Sequence, residues 1–222
     1  PFRGSYGIGI LKSTDGGQTW AKALDWTYDQ GRGVNDIAIH PTDPNTVYAA
    51  TTEGIYKTTD GGTTWNQIHS VIMGMSLALN PIDTDTLYAA HGNFASAGHG
   101  IYRSYDAGAT WTQCASNLPS TFGGKAHLDI YERSPEVVMV SIGNSTSQAN
   151  SQSWLCRSED HGQTWAVVDN QDYTLWQGWF SHDVDMNPRD SMEVYAVGVE
   201  CRQSTSGGSN LFNAAVDGLV LG

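Results

Sequence analysis

The chain has 222 residues, with 23 acidic against 11 basic side chains and a net charge of −12. That balance argues against a nucleic-acid partner, because phosphate backbones recruit positive charge. Its 39% hydrophobic and 10% aromatic content argue against disorder, and with no run of about 18 apolar residues there is no helical membrane span.

Residues 1–24 read as the last two strands of a β unit, joined through the phrase KSTDGGQTW at 12–20. The phrase returns as KTTDGGTTW at 57–65, RSYDAGATW at 103–111 and RSEDHGQTW at 157–165. Its aspartates, Asp15, Asp60, Asp106 and Asp160, lie 45, 46 and 54 residues apart. A fifth, degenerate copy is QSTSGGSNL at 203–211, with Ser206 in the aspartate slot and Leu211 in the tryptophan slot. Repeats near 45 residues are the period of four-stranded propeller blades.

The text between the phrases repeats as well. VNDIAIHPTDPNTVYAATTEGIYK at 34–57 aligns with GMSLALNPIDTDTLYAAHGNF at 74–94 and with weaker versions starting at 126 and 181. Each unit gives an alternating stretch, a Pro/Asp turn, a β-branched stretch, a loop, an IYK-like strand, the repeated turn and a final strand. Such alternation bounded by Gly, Pro and Asp predicts strands and hairpins. Full blades are expected at 34–70, 74–115, 125–169 and 178–216, after the half blade at 1–24, all within one domain.

The phrase has a mechanical logic. An Asp side chain can accept hydrogen bonds from N–H groups of its own turn. The glycine two residues on supplies a backbone conformation closed to residues with a Cβ. The tryptophan five residues on can fold back as an apolar cover over the turn. The pattern S/T-x-D-x-G-x-x-W resembles the Asp-box, or bacterial neuraminidase repeat, and the chain resembles Asp-box β-propellers of the sortilin, xyloglucanase and sialidase kind over essentially its whole length. The resemblance implies an all-β fold of four-stranded antiparallel blades with Asp-box turns, here about four and a half blades, a partial propeller. It also implies that the boxes lie on the blade rim, so Asp15, Trp20, Asp60, Trp65, Asp106, Trp111, Asp160 and Trp165 are structural. The chain opens without Met, and we expect it to be a fragment of a propeller of six to eight blades, or one of two chains that close a ring.

For chemistry, the resemblance to sialidases implies an arginine triad, but Arg103 and Arg157 occupy the same pre-box position as Lys12 and Lys57, a structural placement. The stretch of xyloglucanases that carries the acid resembles YAATTEGIYK at 48–57, where Thr52 stands at the acid position and Glu53 beside it reads as a solvated turn residue. Binding is expected instead at the rim loops, through Trp26, Tyr28, Phe94, Tyr173, Trp176 and Trp179, with Tyr173 and Trp176 the most exposed. Exposed rings there would stack on sugars or anchor a protein.

A second constellation lies on the inner strands. Asp36, Ser76, His127 and Asp183 share one alignment column, and Asp129 and Asp185 fall two residues later. Channel carboxylates are costly unless paired, hydrated or bound to a cation. Hydrogen bonding to neighbouring backbone is the leading reading, with a metal left open. No cofactor is expected. Cys114, Cys156 and Cys201 show no CxxC spacing, so they form neither a disulfide framework nor a zinc site; three buried thiols are expected, with one disulfide plus one free thiol as the alternative. Asn144-Ser145-Thr146 is a glycosylation sequon. The functional expectation is a secreted or cell-surface binding module for a glycan or protein partner, which the rest of a larger propeller could accompany. The alternative is a glycoside hydrolase with catalytic residues partly outside this chain.

Overall fold

The computed structural model describes residues 7–27, 31–144, 149 and 151–214. It is all β. A two-stranded sheet, β1 (Gly9–Lys12) and β2 (Ala21–Asp25), is followed by four antiparallel four-stranded sheets. These are β3 (Val34–Ile39), β4 (Val47–Thr51), β5 (Gly54–Thr58) and β6 (Asn66–His69); then β7 (Gly74–Leu79), β8 (Leu87–His91), β9 (Gly100–Ser104) and β10 (Thr112–Cys114). The last two are β11 (Ala126–Ile130), β12 (Val138–Gly143), β13 (Ser153–Ser158) and β14 (Ala166–Asp169), and β15 (Asp183–Asn187), β16 (Asp190–Val197), β17 (Cys201–Ser204) and β18 (Phe212–Asn213). Strand order within each sheet follows the chain, so every sheet is a meander. The first strands β3, β7, β11 and β15 pack in succession, which gives a partial propeller of four and a half blades.

The apolar cores lie between sheets. Tyr48, Ala50 and Ile55 of the second blade meet Leu77, Leu87 and Ala89 of the third. Ile101 and Cys114 of the third meet Leu128, Val140 and Trp165 of the fourth. Met139 and Leu155 of the fourth meet Val184, Met186 and Leu211 of the fifth. Second strands are flanked by neighbouring blades on both faces, so β4 and β8 read as continuous apolar runs of small residues, Tyr-Ala-Ala in each.

Each box folds as its residues dictate. Asp15, Asp60, Asp106 and Asp160 accept the backbone N–H of Thr19, Thr64, Thr110 and Thr164 at 2.9, 2.8, 2.7 and 2.8 Å. The same four threonine hydroxyls donate to the second carboxylate oxygen at 2.6 to 2.7 Å. The first-position hydroxyl donates to the aspartate and accepts the N–H of the second glycine. That glycine has positive φ in all five copies, from 73° at Gly162 to 98° at Gly208. A Cβ on Gly108 would also lie 2.4 Å from the tip of the Ile68 side chain in the preceding blade, which would have to shift to admit it.

The tryptophan cover is graded, which corrects the expectation of one uniform staple. Three box turns press on the outer strand of the blade before them, Gly62 on Ala23, Gly108 on Ile68 and Gly208 on Val168, whereas Gly162 packs on Tyr88 of the third blade's second strand. Trp20 belongs to the first sheet, has no such neighbour among the described residues, and is 60% exposed. Trp65 and Trp111 are half-buried, and only Trp165 is closed off, at 2%. All three cysteines are free; Cys114 and Cys156 are buried, but Cys201 is exposed, contrary to expectation.

Candidate binding groove

The inner strands and the loop 170–182 build a groove between the fourth and fifth blades. Lys125 and His127 enter from the start of β11, Asp183 from β15, Phe180, Ser181 and His182 from the loop, and Val197 and Gly198 from the end of β16, around a cavity of about 270 Å³. His127 Nδ1 lies 3.8 Å from Asp183 Oδ1. Lys125 Nζ donates to the Phe180 carbonyl at 3.0 Å, which seats the loop on the strand. Burial pushes the His127 imidazole below its usual range, the Asp183 carboxylate partly opposing it. The groove therefore offers an uncharged imidazole, a carboxylate acceptor and an ammonium donor beside an exposed ring.

A fully buried chain of hydroxyls holds the groove floor. Tyr173 Oη and His182 Nδ1 each lie 2.6 Å from Ser141 Oγ. Burial raises the Tyr173 phenol, so the hydroxyl stays protonated within this chain. Burial lowers the His182 pKa to about 3, so its imidazole is neutral. The loop lies flat because three glycines meet beneath it: a Cβ on Gly143 would sit 2.4 Å from the Gly178 carbonyl, and one on Gly124 2.3 Å from the same atom. Asp172 then caps the turn by accepting from Thr174 N–H at 3.1 Å and Thr174 Oγ1 at 2.7 Å.

The predicted rim aromatics divide. Phe94 packs against Trp179 with ring centres 4.9 Å apart and planes tilted by 42°, and Trp179 against Phe180 at 5.2 Å and 47°, a row of rings reaching from the third blade's 91–100 loop to the groove. Phe180, which sequence reasoning did not single out as a site residue, is 61% exposed and ends this row; Trp176 is 45% exposed. Trp176 sits in the left-handed region at φ 69°. Two expectations are corrected. Tyr173 is completely buried, because its hydroxyl is consumed by Ser141. Trp26 is buried edge-on to Tyr56 at 5.6 Å, with the Arg32 guanidinium over its ring. Tyr28 lies outside the described residues, as do Ser145 and Thr146 of the sequon.

Two of the four inner-strand acids, Asp36 and Asp129, clamp blade to blade, as does Ser76. Asp36 accepts the Leu77 N–H at 2.7 Å, Asp129 the Met186 N–H at 2.7 Å, and Ser76 the Leu128 N–H at 3.2 Å. These side chains satisfy donors on the next innermost strand, whose edge faces the channel. Burial lifts Asp129 to about 6, with Asp185 and Asp183 adding to it and the Met186 N–H opposing. Asp185 is raised by burial and by Asp183. Among the described residues, no three His, Cys, Asp or Glu side chains gather in a way that could hold a metal ion.

This architecture has relatives. The family model Sortilin-Vps10, described as sortilin, neurotensin receptor 3, matches residues 53–194. The chain belongs to the Sortilin-Vps10 family. Among solved structures, this Sortilin-Vps10 chain is similar to the GH74 enzyme of Niastella koreensis, with TM-score 0.71 and 22% identity, covering 93% of this chain and 34% of that one. It is similar to the GH74 xyloglucanase of Xanthomonas campestris at TM-score 0.68 and 16% identity, covering 92% and 34%. YCF48 of Cyanidioschyzon merolae matches at TM-score 0.55 and 17% identity, covering 92% and 66%. The chain spans about a third of the length of these GH74 structures; at such identities they show the shared propeller fold. No curated protein matches the sequence.

Proposed function

We propose that this chain is a binding module of a secreted or cell-surface propeller, holding a glycan or protein partner in the groove between β11 and β15. The observation that carries the reading is the row of rings Phe94, Trp179 and Phe180, which ends beside an acceptor and two donors, Asp183, His127 and Lys125. Ring faces pack against the C–H face of a sugar while carboxylate and imidazole take its hydroxyls, so a glycan is the favoured occupant.

A hydrolase reading has less support. Inverting glycosidases need an acid and a base on opposite walls, about 6.5–9.5 Å apart. Of the carboxylates that the sequence offers, Asp36 and Asp129 are taken by backbone N–H groups. Asp183 and Asp185 stand on one strand two residues apart, hence on one face rather than across a cleft. Glu53 sits in the β4–β5 hairpin, 3.9 Å from Arg32. A glycan array probed with the intact chain tests the binding reading, and turnover of xyloglucan by this chain alone would overturn it in favour of the hydrolase.

A further inference from the structure

Beyond that groove, we propose that the interface between the third and fourth blades holds a second binding site, for a small planar aromatic molecule about the size of indole. The repeat itself shows how the site arises. Between the second and third blades, four rings close one end of the interface. His69 stacks on Trp111 with ring centres 5.0 Å apart, and meets His91 and Tyr102 edge-on at 5.0 and 4.7 Å. One blade further on, the register that aligns Arg103 with Arg157 and Trp111 with Trp165 puts Ala115 in place of His69, Ile142 in place of His91 and Cys156 in place of Tyr102. Of the four rings, the tryptophan alone is kept.

A cavity of about 250 Å³ lies at this place, with Ile101, Cys114 and Ile142 as its floor and Leu118, Pro119 and Phe122 as its roof. The roof belongs to the connection 115–125, longer than its counterpart 70–73, which arches over the interface where His69 seals the other one. Both blades have a neighbour on each side, so the walls are complete. Protein interiors seldom leave voids larger than a water molecule, and a cavity of roughly 150 Å³ lined by Leu, Ile and Phe takes up benzene. One of this size and lining admits two fused rings, the kind of group the chain itself places in the preceding interface. The mouth supplies orientation, since ligand pockets combine apolar walls with a few polar groups. Gln113 and Ser120 are exposed there, while the floor is buried. Gln67, at the position of Gln113, gives its amide N–H to the Glu53 carbonyl at 2.6 Å; the Gln113 amide has no hydrogen-bond partner among the described residues and lies across Gly100. Its oxygen is placed to accept from a ring N–H at the mouth.

Indole is the probe. With isoleucine methyl groups labelled for NMR, titration of the intact chain should give saturable shifts at Ile101 and Ile142 and none at Ile39 or Ile82, which are exposed elsewhere. Hexanol, an open chain in place of a flat ring, should bind about tenfold more weakly or worse. Ala115→Phe returns a ring to the position of His69 and should abolish the shifts while raising Tm, as cavity filling does, whereas Ala115→Ser should leave them. A second readout on the unchanged chain covers a phenylalanine that the fold rejects. Cys114 lines the cavity and Cys156, also buried, does not, so saturating indole should slow alkylation of Cys114 about tenfold relative to Cys156. No saturable shift at either isoleucine, hexanol binding as tight as indole, indole binding that survives Ala115→Phe, or equal protection of the two thiols would overturn the proposal. Each of these outcomes leaves the β11–β15 groove untouched.

Discussion

Trp165 and Trp20 occupy the same slot of the same nine-residue phrase, yet one is sealed and the other stands in solvent. Trp165→Ala should cost roughly 3–5 kcal/mol, the range for emptying a buried large aromatic site, while Trp20→Ala should stay within about 0.5 kcal/mol. Urea unfolding of both variants checks this; equal losses would mean that the indole acts only within its own turn. The box itself was legible, since Asp, Gly and Trp recur in fixed register, and so was one thing passed over: Thr precedes Trp in all four full copies, and its hydroxyl holds the second carboxylate oxygen. Exposure was not legible, because it depends on which blade precedes each turn. Acid sensitivity is also set residue by residue. His91 and His182 take a proton in the folded chain only near pH 3, against about 6.5 when unfolded. The unfolded chain is then the better proton binder, so stability is full above about pH 6.5 and declines as pH falls toward 3. Asp129, raised to about 6, and Asp185, raised by burial and Asp183, work the other way as pH falls toward 4, but they face four imidazoles lowered by burial, His69 and His127 beside His91 and His182. The box aspartates Asp15, Asp60 and Asp106, held near 2 mainly by hydrogen bonds from Thr19, Thr64 and Thr110, add their loss only below about pH 4. Tm should therefore fall between pH 7 and 4.5, less steeply in His91→Gln; a flat profile would show that both imidazoles reach water.

At the scale of elements, the basic residue before each box proves to be a latch onto the next blade. Lys12 Nζ donates to the Gly61 carbonyl at 2.7 Å, Lys57 Nζ to Ala107 at 2.9 Å, Arg103 to Gly162, and Arg157 to Ser191 at 2.8 Å. In the fifth blade this position is Gln203, which turns back to Glu193 and Tyr195 of its own sheet. Arg157 is the most enclosed of the four, so Arg157→Met should cost about 1.5–3 kcal/mol, the range for a hydrogen bond from a charged donor. Its exposed partner Glu159 should matter little, and Glu159→Gln should change stability by less than about 1 kcal/mol; thermal denaturation of the two variants separates the claims. Strand order and blade period could be read from alternation and turn residues because every contact in a meander is between neighbours in sequence. The loop 170–182 could not. Tyr173 finds its partner Ser141 on another strand, Ser141 in turn meets His182 at the loop's far end, and three glycines scattered over residues 124–178 let the loop lie down. Nothing local announces such meetings.

For the whole molecule, the repeated clasps and latches produce a curved row of sheets that holds two distant loops at a fixed distance. Phe94 from the third blade and Phe180 before the fifth become one aromatic surface only because the fourth blade sits between them. The central claim is that this surface and the adjoining carboxylate bind sugar. It is tested most directly by a glycan array read with the intact chain beside Phe180→Ala and Asp183→Asn, two surface changes whose folding is verified by circular dichroism. The account predicts a defined class of glycan retained by the unchanged chain and lost about tenfold or more, near 1.4 kcal/mol, in each variant. Retention of no glycan, or equal retention by all three proteins, would contradict it.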